Sequence, residues 1–364
     1  MTDRLPILAW DVGGAHLKAV LLNEAGEVQA VVQLPCPLWR GIQQLQSARA
    51  GVLNQLQLQD HDVQHAVTMT GELADAFADR ASGVAAIVTE MQRGGQVCFY
   101  AGEQWLQAGQ AVAQPLQLAS ANWNASATWL AAQVDQALLV DIGSTTSDLI
   151  PLAGGRVVCR GHDDASRLQC SELVYSGVVR TPLMALAQRV PFAGEWTTLA
   201  AEHFATSADI YRLLGQLAAE DDQADTADGR SKSVAHSRQR LARMLGQDDA
   251  DASPAAWLQL AQALRQAQLD QLIQAALRVL SRLEVAPEAP LISAGVGRFL
   301  VPALAAALGR PCHDAAEYIV AQAGDPALRL AASKALPAYA VAQLYFSQAG
   351  QTRLGSTADG GSQP

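Results

Sequence analysis

Leu138-Leu139-Val140-Asp141-Ile142-Gly143-Ser144-Thr145-Thr146-Ser147-Asp148-Leu149-Ile150 reads as a buried strand, a tight polar turn and a second strand leading away. The chemistry of the turn is that of a phosphate holder. Gly143 lets backbone approach a ligand closely, the turn can aim N–H groups and the hydroxyls of Ser144, Thr145 and Thr146 at phosphate oxygens, and Asp141 and Asp148 can hold Mg²⁺. An ordinary β-hairpin with a polar tip has the same local pattern.

A second copy argues for the phosphate reading. Ile7-Leu8-Ala9-Trp10-Asp11-Val12-Gly13-Gly14-Ala15-His16-Leu17-Lys18-Ala19-Val20-Leu21-Leu22 again gives an apolar strand, Asp-x-Gly, a small turn and an outgoing strand. Asp11 and Asp141 stand 130 residues apart, a spacing suited to two domains of like fold. Lys18 is one of only three lysines among 25 Lys and Arg residues. An ammonium on the strand after a phosphate turn is therefore a candidate phosphate clamp, although strand edges also carry solvated lysine.

These paired hairpins resemble the phosphate motifs of the actin, sugar-kinase and heat-shock ATPase superfamily, and Gly143-Ser144-Thr145-Thr146-Ser147-Asp148-Leu149 resembles its hydantoinase A/oxoprolinase branch. A narrower resemblance runs through Thr68-Met69-Thr70-Gly71-Glu72-Leu73, Ala121-Asn122-Trp123, Glu172 to Pro182, Thr226-Ala227-Asp228-Gly229-Arg230 and Ser293-Ala294-Gly295-Val296-Gly297. In that order these are similar to the tetrahydromethanopterin-linked one-carbon-transfer proteins. That group includes a methanofuran-biosynthesis synthase joining an aminomethylfuran diphosphate to a tyramine-type phenol with loss of pyrophosphate.

The resemblance implies an α/β fold of two ribonuclease-H-like (actin/hexokinase-type ATPase) domains facing a central cleft. It implies catalytic roles for Asp11, Asp141, Asp148 and Lys18, with Mg²⁺ on Asp11 and Asp141. Phosphate or substrate contacts fall to Gly13, Gly14, Gly143, Ser144, Thr145, Thr146, Glu72, Tyr175, Arg180, Gly295 and Gly297. Gly295-Val296-Gly297 resembles the adenosine motif of the superfamily, so ATP enters as a possible ligand, although a lone Gly-x-Gly is a weak signal.

The whole chain sets bounds on these readings. With 364 residues, 50% hydrophobic and 16% charged, it is long enough for two domains with substantial cores. A net charge of −10 argues against broad binding to nucleic-acid backbones, so any anion is held locally. The five scattered cysteines, the absence of a leader pattern and the lack of a long apolar run make a soluble cytoplasmic protein the expectation, with a small phosphorylated molecule as partner and no membrane.

In chain order, strands are expected at residues 7–10, 16–22 and 28–33, a helix over 41–58, a strand over 66–70, a helix over 85–92 and a strand over 97–101. Thr70 and Glu72 then lie at a strand's carboxyl end, where ligands sit in open α/β sheets, or at an ordinary helix start. A helix over 120–134 takes Ser120 or Asn122 as its cap and buries Trp123. The second meander is expected at 138–142, 146–152 and 156–161. Cys159, His162, Asp163 and Cys170 are of zinc-ligand type without a standard spacing. A helix over 183–189 follows Pro182, and residues 218–235 read as an exposed acidic insertion or lid carrying Asp228, Arg230 and Lys232.

The expected domains are 1–135 and 136–327, the second with a helical insertion over about 183–285. A helix over 328–347 braces the first domain and 348–364 form a disordered tail. Three functions fit this frame. They are the ether-forming synthase, an ATP-dependent kinase or ring-opening hydrolase using the same residues, and a non-enzymatic nucleotide switch of actin type.

Overall fold

Apolar runs at the start of the chain build an antiparallel meander of β1 (Ile7–Val12), β2 (His16–Leu22) and β3 (Val28–Pro35). The computed structural model describes residues 5–102 and 104–358. After α1 (Gln43–Leu56), strand β4 (Gln64–Met69) returns parallel to β1, followed by α2 (Arg80–Met91), β5 (Val97–Ala101), β6 (Gln104–Gln107), α3 (Ala108–Ala113) and α4 (Asn122–Ala131). The sheet order is β3-β2-β1-β4-β5-β6. All six residues of β1 are buried, as a central strand covered on both faces requires.

The same plan recurs. It uses β7 (Gln136–Ile142), β8 (Ser147–Ala153), the two-residue β9 (Arg156–Val157), α5 (Asp164–Cys170), β10 (Leu173–Val174), the hairpin of β11 (Arg189–Phe192) and β12 (Glu195–Thr198), and α6 (Ser207–Leu213). Then come α7 (Val234–Met244), α8 (Pro254–Leu280), β13 (Leu291–Ala294), α9 (Val301–Leu308) and β14 (Cys312–Asp314). β7 pairs antiparallel with β8 and parallel with β13, as β1 does with β2 and β4, and the order is β10-β8-β7-β13-β14. Both are ribonuclease-H-like domains of the actin/hexokinase ATPase type.

Two units result: residues up to Asp135 with Gly154–Val157 and the chain from Ala315 on, and Gln136–Ala153 with Val158–Asp314. The first therefore takes back the chain earlier than residue 328. Its final helices, α10 (Pro326–Lys334) and α11 (Leu336–Ala358), break at Ala335, beside the expected Pro337, and α11 packs on β1, β2 and β4. The helix also continues through residues 348–358 of the expected tail, since extending an anchored helix is far easier than nucleating one. Residues 359–364 of that tail lie outside the described residues.

Three further expectations are corrected. The strand expected over 156–161 shrinks to β9, because the N–H groups of Arg160 and Gly161 donate to the Glu172 carboxylate at 2.8 and 2.9 Å instead of to a neighbouring strand. The helix after Pro182 is a single turn over Leu183–Ala185 that gives way to β11, and its exposed Arg189 lies over the Trp196 ring of the partner strand. α2 begins at Arg80, because Asp79 caps it by accepting from Ser82 N at 2.7 Å. No described helix is long and apolar enough to cross a membrane.

Candidate functional site

In the second unit the Gly143 N–H donates to Thr146 O at 2.8 Å, so the hairpin loop is Ser144 and Thr145 alone. Asp141 stands opposite Asp148 across β7 and β8, and Ile142 opposite Ser147. The loop places two hydroxyls side by side, with Ser144 Oγ 3.4 Å from Thr145 Oγ1.

Two other segments fix this tip. The strap after β10 donates Val178 N–H to Gly143 O at 3.1 Å, and Val179 and Arg180 N–H to Ser144 O at 3.1 and 2.8 Å. Gly177 makes that approach possible, since a Cβ there would lie 2.5 Å from Ser144 C and Thr145 N. The strap is itself held: Ser147 Oγ donates to Ser176 O at 2.6 Å, and the buried Gln268 amide donates to Ser176 Oγ and Gly177 O at 2.9 and 3.0 Å. From it Arg180 Nη1 reaches Thr145 Oγ1 at 3.5 Å, and burial lowers the Arg180 guanidinium below its ordinary value. Tyr175, on the same strap, is 55% exposed.

The second segment is the turn at the end of β13. Gly295 has φ +80°, and a Cβ on it would meet Asp141 Oδ1 at 2.3 Å and Ile142 O at 2.4 Å. Gly297 N–H donates to Ile142 O at 2.8 Å. Sequence motifs far apart thus converge: Asp141, Gly143, Ser144, Thr145, Thr146, Asp148, Arg180, Gly295 and Gly297 form one cluster.

Asp148 carries a partner the sequence did not suggest. Arg167 of α5, 1% exposed, places Nη1 2.9 Å from Asp148 Oδ1 and donates Nη2 to Glu172 O at 3.0 Å. Burial raises the Asp148 carboxyl, and the Arg167 guanidinium opposes that rise without cancelling it. Burial also pushes Glu172 up, but the N–H groups of Arg160 and Gly161 and the guanidinium of Arg282 outweigh it and hold this carboxyl below its usual range.

In the first unit, Gly13 N–H donates to His16 O at 3.0 Å, so Gly14 and Ala15 form the equivalent tip, without hydroxyls. Lys18, Asp11 and Thr68 are register neighbours across β2, β1 and β4, and the buried Thr68 hydroxyl makes no hydrogen bond. The Lys18 ammonium donates to Lys334 O at 3.2 Å, at the end of α10. Glu72 is buried and accepts from Ser120 Oγ at 3.0 Å, Thr70 N–H donates to Val12 O at 2.9 Å, and Asn122 Oδ1 accepts from Trp123 N at 2.7 Å.

The segment read as a lid is pinned instead. Asp222 is buried in the fork of Arg212, Lys232 donates to Asp222 O, and Asp228 pairs with the fully buried Arg240 at 3.0 Å. Arg230 stays exposed. Asp163 caps α5 by accepting from Ser166 N at 2.8 Å, and among the described residues no group of three or more His, Cys, Asp or Glu side chains is arranged to hold a metal. That result removes the zinc reading. Magnesium asks less of the protein, one or two carboxylates with substrate oxygens completing its shell, and Asp141 held against Gly295 beside the hydroxyl turn suits that donor set.

The model of the hydantoinase/oxoprolinase family matches residues 64–331, which include this cluster. The chain belongs to the hydantoinase/oxoprolinase family. Among relatives of this family member, the (4-{4-[2-(gamma-L-glutamylamino)ethyl]phenoxymethyl}furan-2-yl)methanamine synthase of Methanocaldococcus jannaschii is 32% identical over 250 residues, 67% of this chain and 73% of that protein. The synthase of the same name from Methanococcus vannielii is 36% identical over 111 residues, 30% of this chain and 50% of that protein. Nucleotide-free acetone carboxylase is similar in fold alone, with TM-score 0.58 and 9% identity over 93% of this chain and 70% of that one.

Proposed function

We propose that this hydantoinase/oxoprolinase-family chain is a transferase of methanofuran-type cofactor synthesis. It joins an aminomethylfuran diphosphate to the phenol of a γ-glutamyl tyramine or tyrosine and releases pyrophosphate. The observation that carries the reading is the strapped Ser144-Thr145 turn with Arg180 on its hydroxyl, a donor set suited to an anion, in a chain 32% identical to a synthase whose named product is a phenoxymethyl furan.

In this reading the bond from the furan methylene to the diphosphate oxygen breaks, and its electron pair leaves with pyrophosphate. The phenol oxygen forms the new bond to that carbon, and its proton passes to a carboxylate base. The furan ring stabilises positive charge on the methylene, so the barrier lies mainly in accommodating the leaving group. The hydroxyls and N–H groups of Ser144, Thr145 and Thr146 hold phosphate oxygens before reaction, and the Arg180 guanidinium forks onto them. Mg²⁺, held by Asp141, would neutralise charge on the diphosphate.

The family match favours a second reading, ATP-dependent kinase or ring-opening hydrolase chemistry. Paired Mg²⁺ reactions separate the two. Pyrophosphate from aminomethylfuran diphosphate only when a γ-glutamyl phenol is present supports the synthase. Phosphate from ATP, with no pyrophosphate in the paired reaction, supports the alternative.

A further inference from the structure

We propose that Arg167 withdraws Asp148 from metal coordination, so that Asp141 is the hairpin's carboxylate for the ion and a divalent cation binds together with the diphosphate rather than ahead of it. The inference rests on the diphosphate reading above.

Asp141 and Asp148 are cross-strand neighbours, an arrangement that places like charges a few ångströms apart. Such a pair is relieved either by a cation bound between the carboxylates or by a protein cation. Here the protein supplies one. Arg167 sits 2.9 Å from Asp148 Oδ1, and its other terminal nitrogen is spent on Glu172 O at 3.0 Å. Its position is fixed by backbone as well, since Glu172 N–H donates to Arg167 O at 3.0 Å and Leu149 N–H, next to Asp148, donates to Glu172 O at 2.9 Å. Glu172 is fully buried and tied to Arg160, Gly161 and Arg282, so the anchor of this ion pair is a rigid one. A buried guanidinium that meets the carboxylate through one nitrogen and is anchored on Glu172 O through the other competes directly with a metal for Asp148.

The consequence is a hairpin that offers the ion one carboxylate, which holds a hard cation weakly until diphosphate oxygens complete its shell. Arg167 is thus a positioning residue, acting through Asp148.

The test is Mn²⁺ retained by the full chain in equilibrium dialysis, with and without inorganic pyrophosphate, each read against the same solution without protein because pyrophosphate itself chelates Mn²⁺. Wild type should bind Mn²⁺ weakly alone and about tenfold or more tighter with pyrophosphate. Arg167→Met should tighten binding of Mn²⁺ alone by about tenfold, because Asp148 becomes a second ligand. Arg167→Lys, which keeps the charge but not both contacts, should tighten it clearly less than Arg167→Met. Unchanged Mn²⁺ affinity in Arg167→Met, or equal tightening in Arg167→Lys, overturns the proposal.

If Arg167→Met does not fold, the double variant Arg167→Met/Asp148→Asn, which removes both buried charges together, decides the matter. Pyrophosphate-dependent Mn²⁺ binding close to wild type supports the proposal, and a loss of about tenfold makes Asp148 a ligand and overturns it. Wild type that binds no pyrophosphate with Mn²⁺ would instead sink the diphosphate reading, while the effect of Arg167→Met on Mn²⁺ alone still reports on Arg167.

Discussion

Lys18 and Asp148 occupy the same register position in two copies of one hairpin: Lys18 lies opposite Asp11, and Asp148 opposite Asp141. The copies have diverged in what that position serves. The ammonium caps the end of α10 at Lys334 O, whereas the carboxylate is held by Arg167. Their tips differ in the same sense, Gly14-Ala15 in one and Ser144-Thr145 in the other.

Lys18 is therefore expected to act on stability. Replacing it with Met removes a cation from the carbonyl end of α10 and should cost about 1 kcal/mol in urea unfolding. Unaltered stability would mean that the contact contributes nothing.

Gly177→Ala tests the strap. A methyl group there meets the backbone of Ser144 and Thr145 at 2.5 Å, and neither atom is the end of a flexible side chain. A stability loss of about 1–3 kcal/mol or more is expected, with weakened pyrophosphate binding because the tip must shift. Wild-type stability and binding would show that the strap does not position the turn.

Arg180→Ala should raise the apparent constant for the diphosphate substrate about 10- to 100-fold, with Arg180→Lys recovering only part, since an ammonium keeps the charge but not the fork. Full recovery by Lys would leave only a point-charge role.

His65 gives the first unit an acid-side weakness. It is 1% exposed, accepts Trp10 Nε1–H at Nδ1 over 3.1 Å, and lies 3.2 Å from Asp60 O through Nε2. Burial lowers its pKa from the ordinary 6.5, Asp60 opposing and Arg49 reinforcing the shift. The unfolded chain thus binds the extra proton first, so the stability from neutral His65 is complete above about pH 6.5 and declines as the pH falls below it. Unfolding free energies between pH 5 and 8 should show this slope, and His65→Gln should flatten it. An unchanged slope in the variant would assign it to other groups.

The repeated Asp-x-Gly hairpins were legible because strand, turn and outgoing strand are written in contiguous residues. Lys18 was singled out by its rarity, yet its partner Lys334 lies 316 residues away and leaves no local trace. Arg167 was missed for the same reason. Its signal is a buried side-chain contact to β8, and nothing in the local pattern Asp163-Asp164-Ala165-Ser166-Arg167 distinguishes it from an exposed helical arginine. The 218–235 segment is exposed over 229–235 as an acidic, aperiodic stretch suggests, but the buried Arg240 and Arg212 that hold Asp228 and Asp222 leave no trace in that local pattern. The closeness of Gly295 to Asp141, whose Oδ1 a Cβ there would meet, is a contact between distant segments that leaves no local trace.

The fate of the oxygen that bridges carbon and phosphorus in aminomethylfuran diphosphate tests the central claim most directly. With that oxygen labelled as ¹⁸O and a γ-glutamyl phenol present, the account predicts that the label leaves in pyrophosphate while the ether carries the phenol's own oxygen. Label retained on the furan carbon, or no pyrophosphate at all, would contradict it.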